Sequence, residues 1–320
     1  MSAMMSQAIE VPNLASPSGP VEQSSRLMGL DLARGIALRG ITFVNVELFA
    51  EPFASLMDPS LPAGQSVLGQ AFYWFTMVFC TSKFYPLYSL LFGIGLAMVY
   101  ASTARSGRSF GWVLARRLLV LAGFGISHIL LVWYGDVLLL YAMVGVLMLL
   151  LARLSARGLY IAAAVFFSIG MLGVLAFGLL GMAGGDGAGR AAGEIPAMPE
   201  ATTLLRQFGL VLQDYQPGPK GIDPRITILE TQIGQEGPFV AAMAVRSFNY
   251  LFSLVFMLLV MVWQVAACFC FGAALVKNGF LNGAKPEWRR WFVRLGLLVG
   301  LPTQVVASWA VQDPDTGWRM

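Results

Sequence analysis

Apolar stretches alternate with short polar ones along most of the chain. Runs of spanning or near-spanning length occupy about 28–49, 69–101, 112–134, 137–152, 159–182, 247–276 and 291–311. A bilayer core is crossed by roughly 20 helical residues at about 1.5 Å each, and no strand-like alternation competes with that reading. The pattern predicts an all-α, polytopic transmembrane helix bundle of about seven spans. It divides the chain into a polar tail (1–25), a first bundle of about five spans (26–182), a long connection (183–246), a second membrane region of two spans (247–311) and a short end (312–320).

The second run is longer than one bilayer crossing needs. Pro86 offers a place to kink it, because proline removes a backbone donor and clashes with the preceding turn. The expectation is an interfacial helix over "LGQAFYWFTMVFC", with Tyr73 and Trp74 at headgroup level, and a span that starts near Lys83. In the long connection, "EATTLLRQFGLVLQDY" predicts a short amphipathic helix.

The connections fix an expected orientation. Loop 102–117 carries Arg105, Arg108, Arg116 and Arg117, "ARLSARG" carries Arg153 and Arg157, and 277–294 is again basic. Loop 50–68 and the turn "YGD" have no Lys or Arg. Under the positive-inside rule the N-terminus is cytoplasmic. The leader lacks a basic start followed by an apolar core, so no cleavable signal peptide is expected.

Composition agrees. Apolar residues are 57% and charged ones 12% of the chain, with mean hydropathy +0.70, whereas soluble domains are about a quarter charged. The net charge of +4 reflects topology, and nothing points to nucleic acid. Cys80, Cys268 and Cys270 lie in apolar runs without metal-ligand spacing and read as small buried hydrophobes.

Ionisable groups inside spans are the candidates for function. Asp31 and Arg34 are three apart and can pair on one helix face. Asn45 follows about four turns later on roughly that face, toward the outer end. His128, the chain's one histidine, lies six residues before the outer turn, and Asp136 sits in that turn. Lys83 enters at similar depth. A histidine near a carboxylate suits proton transfer, although the spacing matches no sharp catalytic motif. The arginines of 102–117 serve topology and headgroup contact, or grip a phosphate-bearing ligand.

Three blocks, "LDLARGIALRGITFVNV", "KFYPLYSLLFGIGLAM" and "RRLLVLAGFGISHILLVWYGDVLLLYAMVGVLMLL", together resemble the YeiB-like family of bacterial membrane proteins, which carries the label domain of unknown function 418. The family's characteristic positions correspond here to Asp31, Arg34, Asn45, Lys83, Arg116, Arg117, His128, Asp136 and Tyr141, and to Gly35, Gly40, Gly93 and Gly135. Arg39 stands where the family usually has an aliphatic residue, and the resemblance implies further spans beyond the seventh and a place in the bacterial cytoplasmic (inner) membrane.

The family's opening span is similar to that of transmembrane acyltransferases. By that analogy an acyl group passes from a cytoplasmic donor, with acyl-CoA as co-substrate, to a glycan or lipid acceptor outside. His128 would be the general base, with Asp136 and Lys83 as electrostatic helpers. Asp31, Arg34, Asn45, Arg116 and Arg117 would contact substrate. A transporter with a proton or ion relay through Asp31, Lys83, His128 and Asp136 is the second reading, and a membrane scaffold without chemistry the third.

Overall fold

A computed structural model describes residues 28–50, 52–53, 67–183, 201–214, 224–282 and 286–312. Every regular element among them is a helix. Four stretches are long and apolar enough to cross a membrane: Thr76–Arg105, Phe110–Leu131, Ala156–Ala176 and Phe239–Lys277. Leu138–Leu151 is a shorter apolar helix. The molecule is an all-α helical membrane bundle, and each of the seven expected segments falls on helix.

Helix α1 (Met28–Ala50) is followed by α2 (Val67–Phe75), which runs on through a wider turn at Thr76–Cys80. Then come α3 (Phe84–Arg105), α4 (Phe110–Leu131), α5 (Leu138–Leu151) and α6 (Ala156–Ala183). Ser109 starts α4 by accepting the Trp112 amide, and Ser155 starts α6 by accepting that of Gly158, so each side chain fills an otherwise open first-turn donor.

The second apolar run is broken, as expected, and α3 starts next to Lys83. The break lies upstream of Pro86, at 81–83, where Ser82 takes a left-handed conformation (φ 61°). Pro86 occupies the first turn of α3, where its missing N–H has no intrahelical partner to lose.

The long connection is more ordered than expected. It contains the predicted amphipathic helix, α7 (Ala201–Asp214), a further helix α8 (Pro224–Gln235), and the start of α9 (Phe239–Phe256). Helix α9 passes through a wider turn at Met257–Met261 into α10 (Val262–Lys277), so this rod starts before residue 247. Helix α11 (Pro286–Leu295) continues through a similar turn into α12 (Leu301–Gln312). The expected tail 1–25, loop residues 54–66, the stretch 184–200 and the end beyond 312 lie outside the described residues.

Helix α10 is the hub, packed on α3, α6 and α5. Its buried face includes Val265, Phe269, Cys270 and Ala273. Gly93 of α3 and Gly272 of α10 allow the two backbones to touch: a Cβ on Gly93 would strike the Phe269 backbone, and one on Gly272 that of Leu90. The three cysteines are free thiols, with Cys80 and Cys270 buried.

The bundle has two distinct ends. Arg105, Arg108, Arg153 and Arg157 gather at one, where Lys277 Nζ donates to the carbonyls of Ala152 (2.7 Å) and Leu154 (2.6 Å). The tight turn 132–137 between α4 and α5 marks the other. These are the arginine end and the turn end.

Candidate functional site

At the turn end, α4 stops at Leu131 and α5 begins at Leu138. The first amides of α5 need acceptors, and Asp136 Oδ1 takes the Leu139 amide at 2.8 Å. That bond holds the carboxylate so that Oδ2 lies 3.3 Å from Nδ1 of His128, in the last turn of α4. The contact is off the ideal hydrogen-bond line, and neither atom has another partner among the described residues. Asp136 is buried, whereas the His128 side chain is 33% exposed. Burial pushes the Asp136 carboxyl up from the usual carboxylate range, while the Leu139 amide and then His128 pull it back.

Gly125, three residues before His128, lets α5 come this close. A Cβ there would lie 2.6 Å from the Leu139 nitrogen and 2.9 Å from Asp136 Oδ1.

A polar and aromatic shell surrounds the pair. Trp133, Tyr134 and Tyr250 are buried, and the Trp133 indole nitrogen and both hydroxyls make no hydrogen bond among the described residues. Tyr250 is close enough to Asp136 to interact with its charge. Arg246 Nη1 reaches the carbonyls of Leu130 (3.4 Å) and Leu131 (3.2 Å), open acceptors at the end of α4. Glu230 Oε1 accepts from Asn249 Nδ2 (2.7 Å) and from the Phe53 amide (2.8 Å), tying α8, α9 and the segment after α1 together. The Phe53 ring meets Tyr134 edge-on, with centroids 5.0 Å apart. Burial, then the Glu230 carboxylate, push the Tyr134 hydroxyl up.

Sequence reasoning placed His128 and Asp136 at similar depth but missed this shell. A signal for part of it was present. Arg246, Asn249 and Tyr250 are spaced three and four apart, one face of a helix at the entrance of an apolar run. Glu230 carried no such signal.

Lys83 is not brought to the pair. Its Nζ donates to the Thr81 carbonyl at 3.2 Å within its own turn. It does stand at the same end, since Tyr85, two residues on, accepts from the Tyr141 hydroxyl of α5 at 3.4 Å.

The expected Asp31–Arg34 pair forms at 3.2 Å on an exposed face of α1. Arg34 extends over Gly95 of α3 and joins Arg117 of α4 in the lining of a cavity of about 400 Å³, walled by Leu91, Leu96, Leu118 and Leu121. Arg116 is exposed and does not line it. Asn45 is half-buried, about 21 Å along α1 from Asp31, and bonds to neither group.

The fold and these features define a class: a polytopic helical membrane protein with a buried His–Asp contact at one end and an arginine-lined cavity between its helices. The chain belongs to the YeiB-like family. It is 30% identical over 297 residues to the uncharacterized protein YeiB of Escherichia coli (strain K12), a match covering 89% of this chain and 65% of that protein. It is also 30% identical over 155 residues to the uncharacterized protein YxaH of Bacillus subtilis (strain 168), covering 44% of this chain and 36% of that one. An uncharacterized 39.9 kDa protein in the amylase 3' region of Bacillus acidopullulyticus is 36% identical over 132 residues, or 41% of this chain and 35% of that protein. The chain thus spans less than two thirds of the length of each of these relatives. No family model and no solved structure matches it.

Proposed function

We propose that the protein is an acyltransferase-like enzyme of the cytoplasmic membrane that moves an acyl group from a cytoplasmic thioester donor to a hydroxyl acceptor, glycan or lipid, on the outer side. The observation that carries the reading is the His128–Asp136 contact. A carboxylate facing Nδ1 favours the tautomer with the proton on that nitrogen, which leaves Nε2 free to act as a base. The partly exposed ring can meet a substrate, while buried Asp136 cannot. The positive-inside rule puts the arginine end in the cytoplasm and the dyad on the outer side.

In the proposed step the acceptor oxygen attacks the thioester carbonyl, its proton passing to His128 Nε2. The tetrahedral centre then collapses, the C–S bond breaks, and His128 returns the proton to the leaving thiolate. Asp136 holds the ring and balances the imidazolium charge. Lys83, bonded within its own turn, is assigned no part.

The test supplies radiolabelled acyl-CoA to membranes containing wild type, His128→Ala or His128→Gln at matched levels, with full-length E. coli YeiB in parallel. Label transfer by wild type that is lost in both variants, a fall of at least ~100-fold for loss of a general base, supports the proposal. No transfer by either natural protein overturns it. The polar groups of Trp133, Tyr134 and Tyr250, without hydrogen-bond partners among the described residues, favour a proton relay as the second reading, which proton flux in vesicles would then test.

A further inference from the structure

The cavity lined by Arg34 and Arg117 lies outside the His128–Asp136 site and takes no part in the proton transfer just described. It opens between α3 and α4 because α3 spends its other face on α10, where Gly93 and Gly272 bring the backbones together. Its volume falls within the ~300–1,000 Å³ usual for small-molecule sites. The wall is hydrocarbon and aromatic, with Tyr88 and Phe92 continuing from the leucines. Tyr88 in turn stacks on Tyr141, whose hydroxyl is fixed 2.6 Å from Ser89 Oγ, so that wall is rigid.

The charge at the cavity is unbalanced. Arg34 is matched by Asp31, but no carboxylate pairs with Arg117 among the described residues. Arg117, itself exposed, lies about 10 Å along α4 from its first residue, in a stretch apolar enough to span, where an unpaired cation is costly. A guanidinium in an apolar wall is the geometry that recognises a phosphate at the head of a hydrocarbon chain. A neutral lipid would leave Arg117 unmatched, and a soluble phosphate would leave the leucine wall wet.

We infer that this cavity binds an acyl amphiphile with a phosphate-bearing head, the head on Arg117 and Arg34 and the chain along Leu91, Leu96, Leu118 and Leu121. The chain would point toward the turn end. Leu114, Leu118, Leu121, Gly125 and His128 follow one another at spacings of four and three, one stripe of α4 that begins at the cavity and ends at the dyad. As the donor's site the cavity would deepen the proposed function, but the binding itself does not depend on His128.

The test uses the full chain in dodecyl maltoside micelles, which carry no phosphate, and a diazirine-bearing palmitoyl-CoA, with crosslinks mapped by mass spectrometry. Crosslinks on the cavity leucines that fall about ten-fold in Arg117→Gln and recover in Arg117→Lys support the inference, that loss being typical of a charge-assisted contact. Gly95→Trp, which fills the space under Arg34, should also remove them. Competition by unlabelled acyl-CoA but not by phosphatidylglycerol assigns a nucleotide-headed donor, and the reverse assigns a membrane phospholipid. Crosslinks spread over lipid-facing helices, or indifferent to Arg117, overturn it. His128→Ala should label like wild type even though it cannot transfer; wild type that labels without transferring sinks the proposed chemistry and leaves this site standing.

Discussion

At Asp136 one carboxylate oxygen is tied to an amide and the other faces an imidazole, yet the whole group is removed from water. Burial is the largest of these influences and raises its pKa above the ordinary 3.8. The folded chain therefore holds this proton more tightly than the unfolded one. The contribution to stability is fully present below the ordinary carboxylate value and is lost as pH rises through the elevated one. Thermal unfolding in detergent should accordingly fall from mildly acidic to neutral pH in wild type, and Asp136→Asn should flatten that part of the profile. An unchanged slope in Asp136→Asn would assign the dependence to other groups. The eight-residue separation of His128 and Asp136 set their similar depth in advance, because the chain reverses between them. They could not fix lateral distance, which depends on Gly125 and on how the turn closes. The partners Phe53 and Glu230 are 177 positions apart and belong to segments with no apolar period linking them.

Helix boundaries were legible where hydropathy changed sharply and obscure where a charge lay inside a helix. Arg246 ended the sixth apolar run from the sequence side, but the helix continues through it from Phe239, its guanidinium satisfied by the carbonyls that close α4. The break at 81–83 was likewise legible in place but not in cause: Ser82, not Pro86, takes the unusual backbone angle. The α4–α5 hairpin gives the sharpest test of packing at this scale. Gly125→Val would push a branched side chain into the backbone of Leu139, which cannot move aside as a flexible side chain can. A loss of about 1–3 kcal/mol is expected, with the dyad opened and transfer lost. Gly123→Ala is the matched control on the same helix, because a Cβ there meets nothing within 4 Å. It should be neutral or mildly stabilising, alanine being the better helix former by ~0.8–1 kcal/mol. Equal effects of the two substitutions on thermal unfolding would show that α5 does not pack where described.

For the whole molecule, the direction of any transfer depends on which end faces the cytoplasm. The arginine end exposes Arg105, Arg108, Arg153 and Arg157 around the short loops that the positive-inside rule weighs most. At the turn end Arg246 and Lys83 donate to backbone carbonyls, and the exposed Arg206 belongs to the long connection, whose charge weighs little in that rule. The short loops of the two ends therefore differ in positive charge. Single cysteines report the orientation directly, in a background where Cys80, Cys268 and Cys270 are alanine, small enough for their apolar sites. Ser106→Cys marks the arginine end and Glu236→Cys the opposite one, both at exposed positions. A membrane-impermeant maleimide should label Glu236→Cys in intact cells and Ser106→Cys only after permeabilisation. The reverse pattern would put His128 and Asp136 on the cytoplasmic face. A cytoplasmic donor would then reach the dyad without crossing the bundle, and the cavity between α3 and α4 would open from the outer side.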